Sequence, residues 1–213
     1  MKIFDIHTHC NCGLKNDCPE NELHKRNFEF LMKEYENAGI FAGGFSYYSA
    51  ILGTDEVYQS NELLFKQAQQ DSRVYQWLVL DPRQEALFGQ IEGKIDNGKV
   101  LGIKIQSKSH QYDIIEYADR IFSFANDLNC FVLMHPDKTP AMLEYADRYP
   151  NMNLIIAHLY STEQVGSEKI FFGTDTYSCG FQRGRIEYAR ISDKDKENIL
   201  SGNVKRHFGI QGL

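Results

Sequence analysis

The sequence predicts an α/β domain built on a parallel β-sheet. Short apolar or β-branched runs alternate along the chain with longer segments in which apolar residues recur every three or four positions. Some runs are apolar throughout, such as Leu154-Ile155-Ile156-Ala157, as is typical of parallel strands covered by helices on both faces. The 213 residues show no linker, repeat or break in composition, so residues 1–213 are expected to form a single domain.

Seven of the short runs are predicted to be strands, because each is bounded by Gly, Pro, Asp or Asn. They cover residues 2–6, 40–46, 74–80, 100–105, 131–134, 153–157 and 170–173. Helices are predicted between them at roughly 21–38, 60–71, 84–97 and 139–148. The clearest helical pattern is an apolar stripe formed by Ile114, Ala118, Ile121, Ala125 and Leu128.

The composition argues against several classes of partner. A net charge of −6 and a pI near 5.6 disfavour nucleic acid, whose phosphates require an excess of Lys and Arg. No stretch approaches the roughly 18 apolar residues of a membrane-spanning helix, and the first residues do not resemble a signal peptide. With an odd number of cysteines, five, reduced thiols and a cytoplasmic location are expected.

Three of those cysteines, Cys10, Cys12 and Cys18, raise the alternative of a structural zinc site. Such sites usually combine two close pairs of ligands, often with two to four residues inside each pair. Only one residue separates Cys10 from Cys12, and no second pair follows. Free thiols in a loop are the favoured interpretation.

The opening segment, MKIFDIHTHC, brings two histidines to the end of a strand. Because side chains alternate between the faces of a strand, His7 and His9 are predicted to point to the same side. Asp5 shares their parity and is a candidate to orient an imidazole.

Residues that can bind metals or transfer protons stand at the ends of five predicted strands, and the carboxyl ends of parallel barrel strands meet on one face. One such residue alone is more often structural, but their coincidence indicates a functional site. The set consists of His7, His9, Lys104, His135, His158 and Asp175. The other histidines, His24, His110 and His207, lack this placement and are interpreted as solvated helix or loop residues.

This ordered set resembles the amidohydrolase superfamily of metal-dependent TIM-barrel hydrolases, and the resemblance covers nearly the whole chain. It is closest to the amidohydrolase-2 branch, because stretches between the ligands are also similar. These stretches are Ser60-Asn61-Glu62, Val79-Leu80-Asp81-Pro82-Arg83, Val100-Leu101-Gly102-Ile103-Lys104, Phe171-Phe172-Gly173-Thr174-Asp175 and the residues from Asn198 to Arg206.

The resemblance implies a TIM-type (β/α) barrel that binds a divalent metal, with Zn expected first and Mn or Fe as alternatives. His7, His9, His135 and Asp175 would hold the metal, and Asp175 would also take a proton from the attacking water. His158 would complete a second metal site or polarise the substrate carbonyl beside a single ion. The expected substrate is a small amide, ester or lactone. Decarboxylation of a small carboxylic acid and a non-catalytic barrel that binds metal or a small ligand are the alternatives.

Lys104 decides between one ion and two. In some family members the matching lysine is carboxylated and bridges two metals. The resemblance to amidohydrolase-2 members with a lysine in the same context as Gly102-Ile103-Lys104 implies one ion, with Lys104 as an electrostatic partner of an anionic substrate.

The interval between His158 and Asp175 departs from the family pattern. Residues 159–174 would have to contain a helix, a strand and a second helix, whereas one crossover alone takes at least about 10–12 residues. The barrel is therefore predicted to be truncated or distorted around its seventh βα unit. A homodimer or a rearranged loop could cover the resulting gap.

Aromatic residues after the second and the last strand suggest a pocket wall, although core packing is their more common role. They are Phe45, Tyr47 and Tyr48, and Tyr177 and Phe181, with Arg183 as a positive charge beside the last two.

Overall fold

A computed structural model describes residues 1–15, 17, 25–158, 165–210 and 212–213. Six parallel strands form one sheet, in which each strand pairs with the next along the chain. They are β1 (Ile3–Cys10), β2 (Ile40–Tyr47), β3 (Val74–Leu80), β4 (Val100–Ile105), β5 (Phe131–Met134) and β6 (Asn153–Ile156). The α/β class and the parallel order are confirmed.

Helices follow the strands and pack on the outer face of the sheet. They are α1 (Phe28–Ala38), α2 (Tyr48–Leu52), α3 (Val57–Gln70), α4 (Glu85–Glu92), α5 (Ser107–His110), α6 (Ile114–Asp127), α7 (Thr139–Arg148), α8 (Cys179–Glu187), α9 (Asp193–Glu197) and α10 (Asn203–Phe208). Asn27 caps α1 by accepting the backbone N–H of Phe30, and Asp113 caps α6 in the same way. The predicted apolar stripe of α6 is confirmed, because it packs into the core between helices and sheet.

The sheet curls so that alternate side chains face a second, inner core. Trp77 fills this interior, and its indole N–H donates to the backbone carbonyl of Ile6, 2.7 Å away. Gly44 makes room for the ring, because a Cβ there would lie 2.8 Å from Trp77 Nε1 and 2.4 Å from Leu101 Cδ1. The inner core is thus a filled half-barrel.

The C-terminal helix closes the amino end of the half-barrel. Val204 and Ile210 pack into the inner core, and the ring of Phe208 lies 4.3 Å from that of Phe131, at the start of β5. The carboxyl ends of the strands, where the predicted site residues stand, are at the opposite end. No helix within the described ranges is both long and apolar enough to cross a lipid bilayer.

Strand β1 continues through both histidines and contains an irregularity between Asp5 and Thr8, an interval that includes His7. Asp5 pairs with Gly43 and Thr8 pairs with Phe45, so β1 uses one residue more than β2 over this interval. Such a bulge re-aims the side chains that follow it. The parity argument therefore holds between His7 and His9 but does not extend to Asp5.

The prediction of a strand at residues 170–173 is wrong, although the segment lies beside β1. The backbone N–H of Ile6 donates to the carbonyl of Phe172, and the backbone N–H of Asp175 donates to the carbonyl of His7, both at 2.8 Å. The N–H of Phe172 turns instead to the carbonyl of Ile199. Because consecutive groups bind different partners, no regular ladder forms.

No strand lies between β6 and residues 170–175 in the part of the chain that is described. This confirms the prediction of a TIM-type barrel truncated around its seventh βα unit. A cavity lies beside β6, on the side where the described residues form no further strand, and we call it the wall cleft. Its sides are formed by Leu154 and Ile156 of β6 and by Phe171 opposite.

Candidate metal centre

Four side chains that can bind a metal meet at the carboxyl end of the sheet: His7, His9, His135 and Asp175. One donor atom from each lies within 4.8 Å of the other three. The Nε2 atoms of His7 and His9 are 3.0 Å apart, and Asp175 Oδ1 is 3.7 Å from the first and 3.4 Å from the second. Imidazole and carboxylate together suit Zn, Mn or Fe.

The electrostatics of the site keep His7 and His135 neutral. Burial, reinforced by the positive charge of Lys104, lowers the pKa of His7 well below its usual value. The same two causes lower the pKa of His135 to about 3. A neutral imidazole is the form that binds a metal, because its unprotonated nitrogen keeps a free lone pair.

An unsatisfied nitrogen of His135 shows that the site fits a metal. His135 Nε2 is buried and has no hydrogen-bond partner among the described residues. An unpaired buried polar atom costs about 1–3 kcal/mol. A bound cation would satisfy this atom together with the facing donors of His7, His9 and Asp175.

Ser46 orients the imidazole of His9. Its carbonyl oxygen lies 3.2 Å from His9 Nδ1, and its hydroxyl oxygen lies 2.9 Å from the same atom. Donation of Nδ1–H to the carbonyl leaves the lone pair on Nε2, which faces the other ligands. Sequence analysis missed Ser46, although the strand-end rule that found the histidines applies equally to this residue near the end of β2.

The segment around Asp175 is clamped to β1 on both sides. Before it, the backbone N–H and the hydroxyl of Thr174 donate to the carboxylate of Asp5. After it, the hydroxyl of Thr176 accepts the N–H of His9 and donates to the carbonyl of the same residue. Asp175 and Thr176 have φ values of 49° and 64°, a region that residues other than glycine rarely adopt. The clamps hold this strained turn, and with it the carboxylate, against the histidines.

Asp5 is therefore part of a clamp and does not orient an imidazole as predicted. It accepts the backbone N–H of His7 at 3.1 Å and the hydroxyl of Tyr35 at 2.8 Å, besides the two groups of Thr174. The bulge after Asp5 explains the error, because it turns the carboxylate away from the two histidine rings. Burial raises the pKa of Asp5 to about 6, against the lowering effect of these hydrogen bonds.

Lys104 is fully buried beneath the histidines, with its Nζ 3.2 Å from His7 Nε2. Burial lowers the pKa of this lysine to about 7, although the nearby Asp175 carboxylate acts in the opposite direction. Near neutral pH the amine is therefore partly uncharged. Its position favours an electrostatic influence on the site over direct contact with a substrate.

Lys104→Met is expected to stabilise the metal-free protein at neutral pH. The lysine has a pKa of about 7 when folded, against an ordinary value of 10.5, so the unfolded chain binds more protons between these values. The free energy of unfolding of the wild-type protein then rises with pH across this window, by up to about 1.4 kcal/mol per pH unit. The variant has no lysine at this position and does not show this rise with pH. Its free energy of unfolding should therefore exceed that of the wild-type protein by the largest amount at or below pH 7. Urea unfolding at pH 7 and pH 9 measures it, and an equal advantage at both would contradict the lowered pKa.

His158 stands beside the group of four. Its Nε2 lies 3.6 Å from Asp175 Oδ2, and its ring centre lies 4.7 Å from that of His135. A third of its side chain is exposed, at 34%, whereas His7 and His9 are almost completely enclosed. Its φ of 59° is a second strained conformation at this site.

The other histidines and cysteines that the structure describes lie outside the cluster. The interpretation of His110 as solvated is wrong, because it is buried and its Nε2 lies 2.9 Å from the carbonyl of Ala50. His207 is exposed as predicted, whereas His24 and Cys18 lie outside the described residues. Cys10 and Cys12 are free thiols, and Cys12 Sγ lies 3.2 Å from the hydroxyl of Ser49.

Solved structures share this fold. A 2,6-dihydroxybenzoate decarboxylase from Rhizobium matches with a TM-score of 0.75 and 12% identity, covering 100% of both chains. A dihydroxybenzoic acid decarboxylase from Polaromonas sp. JS666, with bound manganese and an inhibitor, matches at 0.68 and 14% identity, covering 100% of this chain and 98% of that one. An amidohydrolase from Burkholderia multivorans matches at 0.68 and 12% identity, covering 98% and 99%.

The chain shares the TIM-type barrel fold of these solved structures. This confirms, at the level of architecture, the resemblance found in the sequence. No protein-family model matches the chain, and no curated protein matches it. Identities of 12–14% establish the fold and leave the reaction to the chemistry of the site.

Proposed function

We propose that this amidohydrolase-type barrel is a metal-dependent enzyme that hydrolyses a small amide, ester or lactone. The observation that carries the proposal is the convergence of three imidazoles and one carboxylate, from distant parts of the chain, within 4.8 Å. A divalent ion bound there would polarise a carbonyl oxygen and lower the pKa of water toward about 7. Zn is the expected ion, with Mn or Fe as alternatives. The free thiols suit a reducing, cytoplasmic setting.

Asp175 is the proposed proton carrier. Burial raises the pKa of its carboxyl, while His158 and Lys104 act in the opposite direction. Its side chain is 23% exposed and lines the wall cleft, so a substrate and a water can reach it. It would accept the proton of the attacking water and deliver it to the leaving group.

His158 and Lys104 have supporting roles in the proposal. His158 lines the wall cleft beside Asp175 and would donate a hydrogen bond from Nε2 to the substrate carbonyl. Lys104 is fully buried, so it would act on the substrate without contact. Its positive charge would favour an anionic substrate through the electrostatic potential. We propose one ion, because four donor atoms already face one point and His158 lies outside that group. A pair of ions bridged by a carboxylated Lys104, with His158 as a ligand, is the alternative.

Decarboxylation of a small carboxylic acid is the second candidate. Two of the solved structures with this fold are decarboxylases of dihydroxybenzoic acids. The same ligands would then stabilise charge at the carbon that loses carbon dioxide. This support is an analogy at the level of fold.

A paired assay separates the two reactions. Metal content is measured first, and the loaded protein is then offered lactones, esters and amides in one series and aromatic acids with detection of carbon dioxide in the other. We expect turnover in the first series that a chelator abolishes and added Zn or Mn restores. Carbon dioxide release alone would establish the decarboxylase. One equivalent of metal without turnover in either series would favour a non-catalytic barrel.

A further inference from the structure

The wall cleft connects the metal centre with the outside of the barrel. It encloses about 740 Å³, a volume ordinary for small-molecule sites, which span about 300–1,000 Å³. His7, His158 and Asp175 line one end of it. The walls are apolar, formed by Leu133, Leu143, Leu154, Ile156 and Phe171.

Two cations with no salt-bridge partner among the described residues border the same cleft. Arg185 of α8 and Lys169 both line it and are exposed. Arg185 donates to Gln182 Oε1 at 3.1 Å, and neither cation forms a salt bridge within the described ranges. An arginine beside an apolar wall without a carboxylate partner is suited to bind an anion.

Arg183, the cation predicted to serve the pocket, is engaged elsewhere. Its guanidinium pairs with Glu187 and donates to the carbonyl of Ala38, which ties α8 to the end of α1. Arg185 is two residues further along α8, on the side that faces the wall cleft. The positive charge expected near the site is therefore supplied by Arg185.

We propose that the wall cleft is the substrate-binding groove and that it selects organic anions with an apolar body. The acidic group of such a molecule binds Arg185, supported by Lys169, and the apolar body lies between β6 and Phe171. The opposite end reaches His158 and Asp175. Only this last contact rests on the proposed function, because the groove and its cations exist independently of the reaction.

A small anion fits the cleft better than an added strand from a second copy. β6 has four residues and offers a short edge for pairing. The cleft also has polar side chains at its inner end and cations at its rim. A strand that pairs only through its backbone would form no contact with these side chains.

Two fluorescent probes with the same aromatic body test the proposal. 8-Anilinonaphthalene-1-sulfonate carries an anionic group, and N-phenyl-1-naphthylamine lacks it. Their dissociation constants are measured for the wild-type protein, Arg185→Gln and Leu143→Asp, with Arg190→Gln as an exposed arginine outside the cleft. We expect Arg185→Gln to weaken the binding of the sulfonate probe by about fivefold, as for a partly exposed ion pair, and to leave the binding of the neutral probe unchanged. Leu143→Asp should weaken both probes, and Arg190→Gln neither.

Unchanged binding of the sulfonate to Arg185→Gln, or of both probes to Leu143→Asp, would overturn the proposal. Loss of probe binding as the protein concentration rises, with a dimer in sedimentation, would show that a second copy fills the cleft and would also overturn it. Each titration is repeated with a chelator and with added Zn. If the protein binds no metal but the probes behave as expected, the proposed hydrolase fails and the anion groove stands.

Discussion

Asp175→Asn should lower the turnover number by about 10³-fold, since general acid–base catalysis typically contributes 10²–10⁴. The amide has nearly the shape of the carboxylate but cannot accept the proton of an attacking water. Its oxygen can still face His7 and His9, so the loss of metal should be smaller than the loss of turnover. Turnover and metal content are measured on the same preparation of the loaded variant.

Asp193→Asn is the matched control for that experiment. Asp193 is a fully exposed carboxylate in α9, and among the described residues its salt-bridge partner is Lys196 at 4.0 Å. Its variant should retain wild-type turnover. If Asp175→Asn keeps turnover within about tenfold at equal metal content, Asp175 is not the proton carrier.

The candidate metal ligands stay together, although the described residues contain no seventh strand, because Asp175 is held by β1. The backbone N–H of Asp175 donates to the carbonyl of His7, and the hydroxyl of Thr174 donates to the carboxylate of Asp5. The hydroxyl of Thr176 accepts the backbone N–H of His9. None of these contacts needs a neighbouring seventh strand. A barrel shortened on that side can therefore keep its ligands in place while it gains an opening in the wall.

Periodicity was sufficient to locate the six strands and the ligand residues they carry. Strands such as β4 and β5 are predicted to the residue because each is a short apolar run between clear breakers. The proximity of His7 and His9 follows from strand alternation alone. Asp175 is assigned to the site by the rule that the carboxyl ends of parallel strands meet on one face, and it does lie beside His9, although residues 170–173 form no strand.

Features that depend on tertiary contacts could not be predicted in this way. The bulge after Asp5 is a property of how β1 pairs with β2, so strand parity failed there. Residues 170–173 have the composition of a strand, but the backbone N–H of Phe172 donates to the carbonyl of Ile199 and not to a neighbouring strand. Arg183 and Arg185 look equivalent in sequence, and only the positions of Glu187 and Ala38 show which of them is engaged.

His9→Ala should abolish metal binding at micromolar concentrations and with it all metal-dependent turnover. The substitution removes a buried donor whose Nε2 faces His7 and Asp175 at 3.0 and 3.4 Å. Loss of residues that merely support a ligand costs about 10–100-fold in metal affinity, so loss of the ligand itself should exceed that range. Circular dichroism is expected to show a retained fold, because the inner core around Trp77 is untouched.

Ser46→Ala and His207→Ala are compared with His9→Ala, and the three variants are expected to differ stepwise in metal affinity. Ser46→Ala removes the hydroxyl at His9 Nδ1 but keeps the carbonyl that fixes the tautomer, so a loss of about tenfold in metal affinity, at the lower end of the range, is expected. His207 is exposed on α10, at the opposite end of the half-barrel, and its variant should bind metal normally. A ligand that binds only the folded state raises the melting temperature, so the shift produced by Zn should be normal in His207→Ala, reduced in Ser46→Ala and absent in His9→Ala. An equal shift in all three would mean that the ion binds elsewhere.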